Sequence, residues 1–351
     1  MQVVDQAVSL AIVGPSFFSY VSTVAREFSR RGITPFVLDE KHSNSNAAKI
    51  FYRLGLGHWR FSPLRRYLAA TAERIIHARC TDVLIISPEV IDRKFVKHLC
   101  DAGLRVHLYS WDGSANKGGY IQYLDLLSGK GTFDPNDADR LGLEYFPLFA
   151  VNDFSEIAKI NKFEKIYDIS FCGTMHSSRS KIISEIFFTA RECKLNLKLM
   201  LYYHSKYLFF IRSLFDWSGM KLLKIIKSQP FEKSEIALSM AQSHFVLDIA
   251  HPRQAGMTAR TFEALICGAR LLTNNPTAVD RLPLSLRNRI VLLDSAARIS
   301  NINFRSIRRL PPLTSEETYY LSIERFVDQL LKLMGLENRD PTSADAEFSQ
   351  A

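Results

Sequence analysis

Short apolar runs alternate with longer amphipathic runs along most of this chain, and this alternation constrains the fold more than any other feature of the sequence. Short apolar runs bounded by turn residues are typical of buried strands, whereas apolar residues spaced three or four apart are typical of helices that bury one face. Repeated strand–helix units favour a parallel sheet, because parallel strands need long crossover connections. The chain is therefore predicted to have an α/β fold.

Two series of these units follow one another. In the first half, the pattern predicts strands at residues 9–14, 34–39, 82–87 and 105–111, with helices at 18–31, 63–79 and 90–102. The pattern then restarts, with strands predicted at 167–173, 195–203, 244–250, 269–275 and 289–294. A chain of 351 residues is long enough for two domains that each bury a core.

We therefore predict two doubly wound, Rossmann-like domains, the first at residues 1–155 and the second at 160–335. An amphipathic helix is predicted at 315–334, and it is expected to pack back across the domain boundary. The tail, 336–351, has few apolar residues to bury and is expected to be disordered.

The composition indicates a soluble globular protein, with 47% hydrophobic and 23% charged residues. A net charge of +9 favours anionic partners. The basic residues are dispersed without an aromatic-interleaved patch, so nucleic acid is not an expected partner. The five cysteines are scattered without a C-x-x-C pair, and neither a secretory signal nor a membrane span is recognisable. A cytoplasmic location is therefore expected.

The segment DIAHPRQAGMTARTFEALICGARLLTNN, residues 248–275, places a polar loop between a predicted strand and a predicted helix. In open α/β sheets, ligands bind at the carboxyl ends of strands, and a helix that begins there attracts phosphate. The residue types suit a nucleotide diphosphate: cations for phosphate, a glycine for close approach and a carboxylate for ribose hydroxyls. The candidates are His251, Arg253, Gly256, Thr258, Arg260 and Glu263. The alternative is a surface helix that carries an Arg260–Glu263 ion pair.

Part of this segment, MTARTFEALICGARLLTNN, resembles the donor-binding segment of GT-B glycosyltransferases, in which R-x-x-E-A-x-x-x-G precedes an apolar strand. It is most similar to the CgeB-like group and to lipopolysaccharide-core transferases of the RfaS type. The segment DISFCGTMHSSRSKI also resembles the opening of that family's second domain, and FDPNDADRLGLEYFPLF resembles the end of its first. The residues that match these motifs are Gly173, Thr174, Arg179, Arg260, Glu263, Ala264 and Gly268.

The resemblance implies a GT-B fold, with two Rossmann-like domains facing across a cleft and the nucleotide sugar on the second. It further implies that Glu263 binds the donor ribose, that Arg260 and the helix start hold the diphosphate, and that Gly173 and Thr174 lie near the donor. No metal or other cofactor is expected, because arginines and the helix dipole neutralise the leaving diphosphate. One departure leaves the stereochemistry open: Ala255 stands where one large retaining family has the first glutamate of E-x7-E.

A transferase also needs a base for the acceptor hydroxyl. Asp112 and Glu89 follow two predicted strands of the first domain, and they are the candidates, with Asp112 preferred. Each could instead cap a turn or a helix. Asp137 and Asp139 form a D-x-D pattern, but Asp134 followed by proline is more typical of a helix N-cap and first turn than of a metal site.

Residues 205–231 mix large apolar residues with lysines, which is typical either of a helix on an anionic membrane surface or of a core-facing helix pair. The predicted function is transfer of a sugar from a nucleotide sugar to a glycan or lipid-linked acceptor, in envelope polysaccharide or lipopolysaccharide synthesis. Two alternatives remain: a GT-B-like sugar-nucleotide epimerase, which needs no acceptor, and a non-enzymatic nucleotide-binding module.

Overall fold

The protein is analysed as a computed structural model. The structure describes residues 9–15, 20–43, 62–160, 163–175, 179–215, 220, 222–250, 254–293, 299–300, 302, 304 and 310–337. The chain divides into two compact units. Unit 1 comprises residues 1–147, 253–256 and 323–351, and unit 2 comprises 148–252 and 257–322. Most of the tail predicted at 336–351 lies outside the described residues.

Unit 1 is built on a six-stranded parallel sheet with the order β2-β1-β3-β4-β5-β6. Its strands are β1 (Leu10–Gly14), β2 (Phe36–Asp39), β3 (Asp82–Ile86), β4 (Arg105–Ser110), β5 (Gly129–Thr132) and β6 (Glu144–Tyr145). Every residue of β1 and β3 is buried, as expected for central strands covered by helices on both faces. The continuous apolar runs LAIVG and DVLII are the sequence signature of this burial.

Three helices of unit 1 begin at residues whose side chains accept backbone hydrogen bonds. The helices of this unit are α1 (Tyr20–Arg30), α2 (Pro63–His77), α3 (Arg93–Asp101), α4 (Ser114–Lys117), α5 (Pro135–Leu141) and α14 (Ile323–Met334), with a 3-10 segment at Gly119–Leu126. Ser62, Asp92 and Asp134 cap α2, α3 and α5. The predicted N-cap role of Asp134, with Pro135 at the first helical position, is confirmed.

Unit 2 repeats the architecture with the strand order β12-β11-β10-β7-β8-β9, again parallel. Its strands are β7 (Tyr167–Thr174), β8 (Leu197–Tyr202), β9 (Ile226–Lys227), β10 (Ser243–Asp248), β11 (Arg270–Thr273) and β12 (Ile290–Leu292). Its helices are α6 (Asn152–Ile160), α7 (Arg179–Glu192), α8 (Lys206–Phe215), α9 (Lys233–Ala241), α10 (Ala259–Ile266), α11 (Thr277–Arg281), α12 (Leu284–Arg287) and α13 (Ser315–Leu321). β7 and β10 are central and adjacent, so their carboxyl ends lie side by side.

The single helix predicted at 315–334 is wrong. Ser322 has extended backbone angles, and it separates α13 from α14. α13 stays in unit 2, where Thr314 and Glu317 form a capping box at its start. α14 belongs to unit 1, where its Phe326 ring meets Tyr109 of β4 edge-on at 4.9 Å. The predicted second domain, 160–335, therefore differs from the observed unit 2 at its carboxyl end.

Candidate functional site

Hydrogen bonds link the start of α10 to Asp248 at the end of β10. Thr258 occupies the N-cap position, but its hydroxyl makes no cap hydrogen bond. Instead, Thr258 Oγ1 donates to Asp248 Oδ2 at 2.8 Å, and Thr261 Oγ1 lies 3.3 Å from the same oxygen. Asp248 is buried, so this carboxylate depends on the two hydroxyls for hydrogen bonding. The hydroxyl of Thr258 therefore leaves the first turn of α10 without an N-cap hydrogen bond, and the positive end of the helix dipole lies at the carboxyl edge of the sheet.

Two arginines lie at the same edge. Arg260 Nη1 donates to the carbonyl oxygen of Cys172, near the end of β7, and its guanidinium stands 5.8 Å from the centre of the Phe171 ring. Arg179, at the first residue of α7, donates from Nη2 to the Ile249 carbonyl oxygen at 2.8 Å. Burial lowers the pKa of Arg179, and the positive charge of Arg260 lowers it further. An anion placed beside both arginines would relieve this repulsion.

Gly173 is packed closely against Phe171. A Cβ atom on Gly173 would lie 2.9 Å from the Phe171 ring, which leaves little space for a side chain at the end of β7. The same atom would lie 3.6 Å from Arg260 Nη1, an ordinary contact distance. Thr174 is the last residue of the strand and pairs with Tyr202 of β8. The structure therefore brings the predicted residues Gly173, Thr174, Arg179 and Arg260 to one edge.

Glu263 is buried on α10, with 5% of its surface exposed. Burial raises the pKa of the Cys172 thiol, and the charges of Arg260 and Glu263 act on that thiol in opposite directions. Both side chains therefore lie close to the end of β7. Residues 261–266 of α10 are all buried, which excludes the alternative of a helix on the protein surface.

Gly256, in the loop before α10, is packed against the protein and not left open as predicted. A Cβ atom there would lie 2.5 Å from the Phe133 ring, so a side chain of the protein makes the close approach that the sequence suggested for a ligand. The backbone N–H groups of Ala255 and Gly256 donate to Asp134 Oδ2 at 3.0 and 3.2 Å. These contacts belong to unit 1. His251 and Arg253 lie outside the described residues.

The candidate bases in unit 1 share a lysine. Lys117 Nζ is 2.5 Å from Glu89 Oε1 and 2.9 Å from Asp112 Oδ2. Ser87, at the end of β3, donates to Asp112 Oδ2 at 2.7 Å. Ser87 has a φ of 43°, a left-handed conformation that is costly for a residue with a side chain and is often found at functional sites. Asp112 and Glu89 therefore lie together at the carboxyl ends of β3 and β4, as predicted.

The two carboxylates differ in their environment. Burial tends to raise the pKa of Glu89, but hydrogen bonds from Lys117 and Lys41 outweigh it and lower the pKa. Asp112 has one lysine and one hydroxyl as partners. A carboxylate held by two ammonium groups is a weaker proton acceptor, so the geometry favours Asp112 over Glu89 as a base.

Sequence reasoning missed Glu40, which follows β2 at the same edge of unit 1. Its side chain has no exposed surface, and Oε2 accepts the backbone N–H groups of Glu89 and Val90 at 2.8 and 3.1 Å. Burial raises the pKa of Glu40 to about 7, although both N–H groups and Lys41 act to lower it. A carboxyl group of this kind exchanges a proton near neutral pH. No local sequence pattern indicates it, because its burial depends on segments far apart in the chain.

In the D-x-D pattern, Asp137 is held by hydrogen bonds to other residues of unit 1. Asp137 accepts hydrogen bonds from Ser114 N at 2.6 Å and Ser114 Oγ at 2.5 Å, and Arg140 Nη2 lies 3.0 Å from it. Asp139 is exposed, whereas Asp137 is buried. Among the described residues, no group of three or more histidine, cysteine, aspartate or glutamate side chains is arranged to hold a metal ion.

The helix α8 exposes a row of large apolar side chains. Tyr207, Leu208, Phe210 and Ile211 are all exposed, with Tyr207 at 71%, while Phe209 is buried in the core of unit 2. Lys206 is exposed at the start of the same helix. No helix in the described part of the chain is long and apolar enough to span a membrane.

No protein-family model matches the chain, and no curated protein matches it. Several solved structures do. A glycosyltransferase from Rickettsia africae is similar over 95% of this chain and 100% of its own, with a TM-score of 0.61 at 10% identity. The UDP-GlcNAc 2-epimerase from Methanocaldococcus jannaschii, solved with UDP-GlcNAc and UDP, covers 93% of this chain and 100% of its own, with a TM-score of 0.54 at 15% identity. HepE from Anabaena, solved with UDP-glucose, covers 94% and 97%, with a TM-score of 0.54 at 11% identity.

These similarities show the fold. It is GT-B, with two Rossmann-like α/β domains, as the sequence predicted. The similar structures include a glycosyltransferase and a UDP-GlcNAc 2-epimerase that was solved with UDP-GlcNAc and UDP.

Proposed function

We propose that this protein is a glycosyltransferase that moves a sugar from a nucleotide sugar to a glycan or lipid-linked acceptor. The observation that carries the proposal is the carboxyl edge of unit 2, where Arg179 and Arg260 lie beside a helix start and the buried Glu263. Cations and a helix N-terminus suit a diphosphate, and a carboxylate one turn further suits ribose hydroxyls. The GT-B fold supports this assignment.

The donor diphosphate would bind at the first turn of α10 beside the two guanidinium groups. Their charge matters most when the sugar–phosphate bond breaks, because negative charge then accumulates on the leaving diphosphate. Fixed cations and the helix dipole supply this stabilisation, so the proposed reaction needs no metal ion. Asp248 would act as a positioning residue, since it holds Thr258 and Thr261 and thereby the start of α10.

The acceptor hydroxyl must lose a proton as it attacks the sugar. We assign this step to Asp112, with Glu89 as the second candidate. Lys117 would hold Asp112 in position through its ion pair with Asp112 Oδ2 at 2.9 Å. Glu40 accepts a hydrogen bond from the backbone N–H of Glu89. Protonation or deprotonation of Glu40 would therefore change the net charge beside Glu89.

The exposed apolar face of α8 supports a lipid-linked acceptor, because contact of this face with a membrane would bring the enzyme to such an acceptor. Four large apolar side chains and Lys206 on one short helix would suit contact with an anionic membrane surface. This supports the proposal of a peripheral enzyme of envelope polysaccharide or lipopolysaccharide assembly, within the CgeB-like or RfaS-like group.

The second candidate is a sugar-nucleotide epimerase, favoured by the similarity to the Methanocaldococcus enzyme. Product analysis separates the two functions. The protein is incubated with UDP-, GDP-, dTDP- and CMP-sugars, with and without saccharide acceptors, and the products are identified by NMR. A transferase gives a new glycoside only when acceptor is present. Formation of an epimerised nucleotide sugar without acceptor would reject the transferase.

A variant links this activity to the site. Arg260→Ala should lower turnover by about 100-fold, the usual cost of removing one group that stabilises a developing anion. Arg191→Ala, at an exposed position of α7, is the matched control and should keep wild-type turnover. If both variants turn over at the wild-type rate, Arg260 has no part in the reaction.

A further inference from the structure

A second concave site lies within unit 2 at the amino ends of its strands, at the edge of the sheet opposite the candidate donor residues. Lys165 precedes β7, Gly268 precedes β11 and Arg289 precedes β12. Residues at these positions line a cavity of about 820 Å³. This volume is ample for a small organic molecule.

The walls of this cavity are mostly apolar. They are formed by the inner face of α6, the ends of α9 and α10 and the segment before α13. The apolar residues that line the cavity include Ile157, Phe163, Ile266, Leu310 and Leu313. A cavity lined in this way favours a ligand with an apolar body.

One strongly polar group interrupts the apolar lining. Arg289 has only 3% of its surface exposed, and its Nη2 donates to the Pro311 carbonyl oxygen at 2.9 Å. Its Nε and Nη1 atoms are buried and have no hydrogen-bond acceptor in the described part of the chain. A buried charge with unmet donors is costly unless an anion or a polar partner completes it.

Glu317 does not complete Arg289. Its charge acts to raise the pKa of Arg289 through space, and no ion pair within 4 Å joins the two side chains among the described residues. One Glu317 oxygen accepts the backbone N–H of Thr314 at 2.9 Å, as part of the capping box of α13. The position of the Glu317 carboxylate is therefore fixed by the start of α13. Burial lowers the pKa of Arg289, which is the expected response of a guanidinium held in an apolar wall.

Further positive charge lies at the same edge. Lys165 lines the cavity, and its Nζ is 3.2 Å from the Gly268 carbonyl oxygen. Burial lowers the pKa of His244 in β10, and the charges of Lys165 and Arg270 lower it further. Lys159 also lines the cavity, but it is exposed and pairs with Glu156 at 2.7 Å. Asp168 acts on His244 in the opposite direction. Lys165 and Arg289 nevertheless place two cationic side chains on the lining of the cavity, where an anionic group could pair with them.

We propose that this cavity binds an amphipathic organic anion, with its anionic head against Arg289 and Lys165 and its apolar body against Phe163 and the Leu310–Leu313 segment. The head would lie beside the guanidinium of Arg289, two of whose nitrogens have no acceptor in the described part of the chain. The site is separate from the proposed donor site and uses none of its residues. Occupancy would tie α6, α10 and the segment before α13 together through one molecule.

Octyl phosphate is the probe, used below its micelle-forming concentration and measured by titration calorimetry and thermal shift on the full chain. Octanol lacks the charge, and inorganic phosphate lacks the apolar body. We expect octyl phosphate to raise the melting temperature by mass action and to bind at least tenfold more tightly than either control compound. Saturating UDP should leave this affinity unchanged.

Arg289→Met keeps an apolar side chain of similar length and removes the charge. It should weaken octyl phosphate binding at least tenfold, and the free variant should melt at the wild-type temperature or above it, because an incompletely paired buried charge is removed. Lys165→Gln should weaken binding in the same direction, and the exposed Arg191→Gln should not. Absence of binding to the wild type, equal binding of octanol, displacement by UDP or undiminished binding by Arg289→Met would each overturn the proposal.

Discussion

Glu40 has no exposed surface and sits beside the charged side chains of Lys41 and Glu89, and its protonation therefore couples pH to the stability of unit 1. Its pKa is raised by burial to about 7 from an ordinary value of 4.5. The folded state therefore holds this proton more tightly than the unfolded state does. The stability that this proton confers is complete below about pH 4.5 and is lost as the pH rises to about 7.

Substitution of Glu40 by glutamine removes this dependence while keeping an oxygen for the N–H groups of Glu89 and Val90. Urea unfolding at pH 5 and pH 8 should show that the stability of the wild type, relative to Glu40→Gln, falls by about 2–3 kcal/mol between the two pH values. The exposed Glu192→Gln should show the wild-type pH dependence. A stability difference between wild type and Glu40→Gln that does not change with pH would contradict the account of this residue.

At the scale of elements, α10 and α8 show two uses of an amphipathic sequence. α10 follows a buried strand and is itself buried from Thr261 to Ile266, because the sheet and α13 cover it. α8 buries Phe209 but leaves four large apolar side chains exposed. A sequence that mixes apolar and basic residues is compatible with a buried helix and with a helix that exposes its apolar face. The spacing of the residues does not indicate which other elements cover the helix.

The exposed face of α8 should direct the protein to anionic membranes. In vesicle flotation, the wild type should bind vesicles of phosphatidylglycerol and phosphatidylcholine more than vesicles of phosphatidylcholine alone, because Lys206 adds electrostatic attraction. Leu208→Glu together with Phe210→Glu should abolish binding. The control is Leu284→Glu, which changes an isolated exposed leucine on α12. Equal flotation of all three proteins would show that α8 is not the contact.

The elements that the sequence predicted best are those with a strong local signal. The runs LAIVG and DVLII predicted β1 and β3, and Asp134 followed by Pro135 predicted the start of α5. β5 has the sequence GKGT, and β6 and β9 have two residues each, so no apolar period marks them. The break at Ser322 was missed because an amphipathic pattern continues on both sides of it.

For the whole molecule, the alternation of strands and helices was enough to predict two doubly wound sheets, and the similar structures confirm the GT-B fold. The contacts of the site were not predictable. Arg260 binds the carbonyl of Cys172, which is 88 residues away, and no spacing rule specifies such a pair. Because ligands bind at the carboxyl ends of parallel strands, the sequence predicted the edge at which the polar residues lie. It did not predict which of these residues form hydrogen bonds with one another.

The central claim is that Glu263 and its neighbours at the carboxyl edge of unit 2 bind a nucleotide. Titration calorimetry with UDP, GDP, dTDP and CMP tests it most directly on the wild type, on Glu263→Gln and on Glu192→Gln, an exposed control at the last residue of α7. We expect the wild type and Glu192→Gln to bind one of these nucleotides equally. Glu263→Gln should bind it more weakly by about 1.5–3 kcal/mol, the cost of a charge-assisted hydrogen bond. Undiminished binding by a folded Glu263→Gln, or no binding of any nucleotide by the wild type, would contradict the claim.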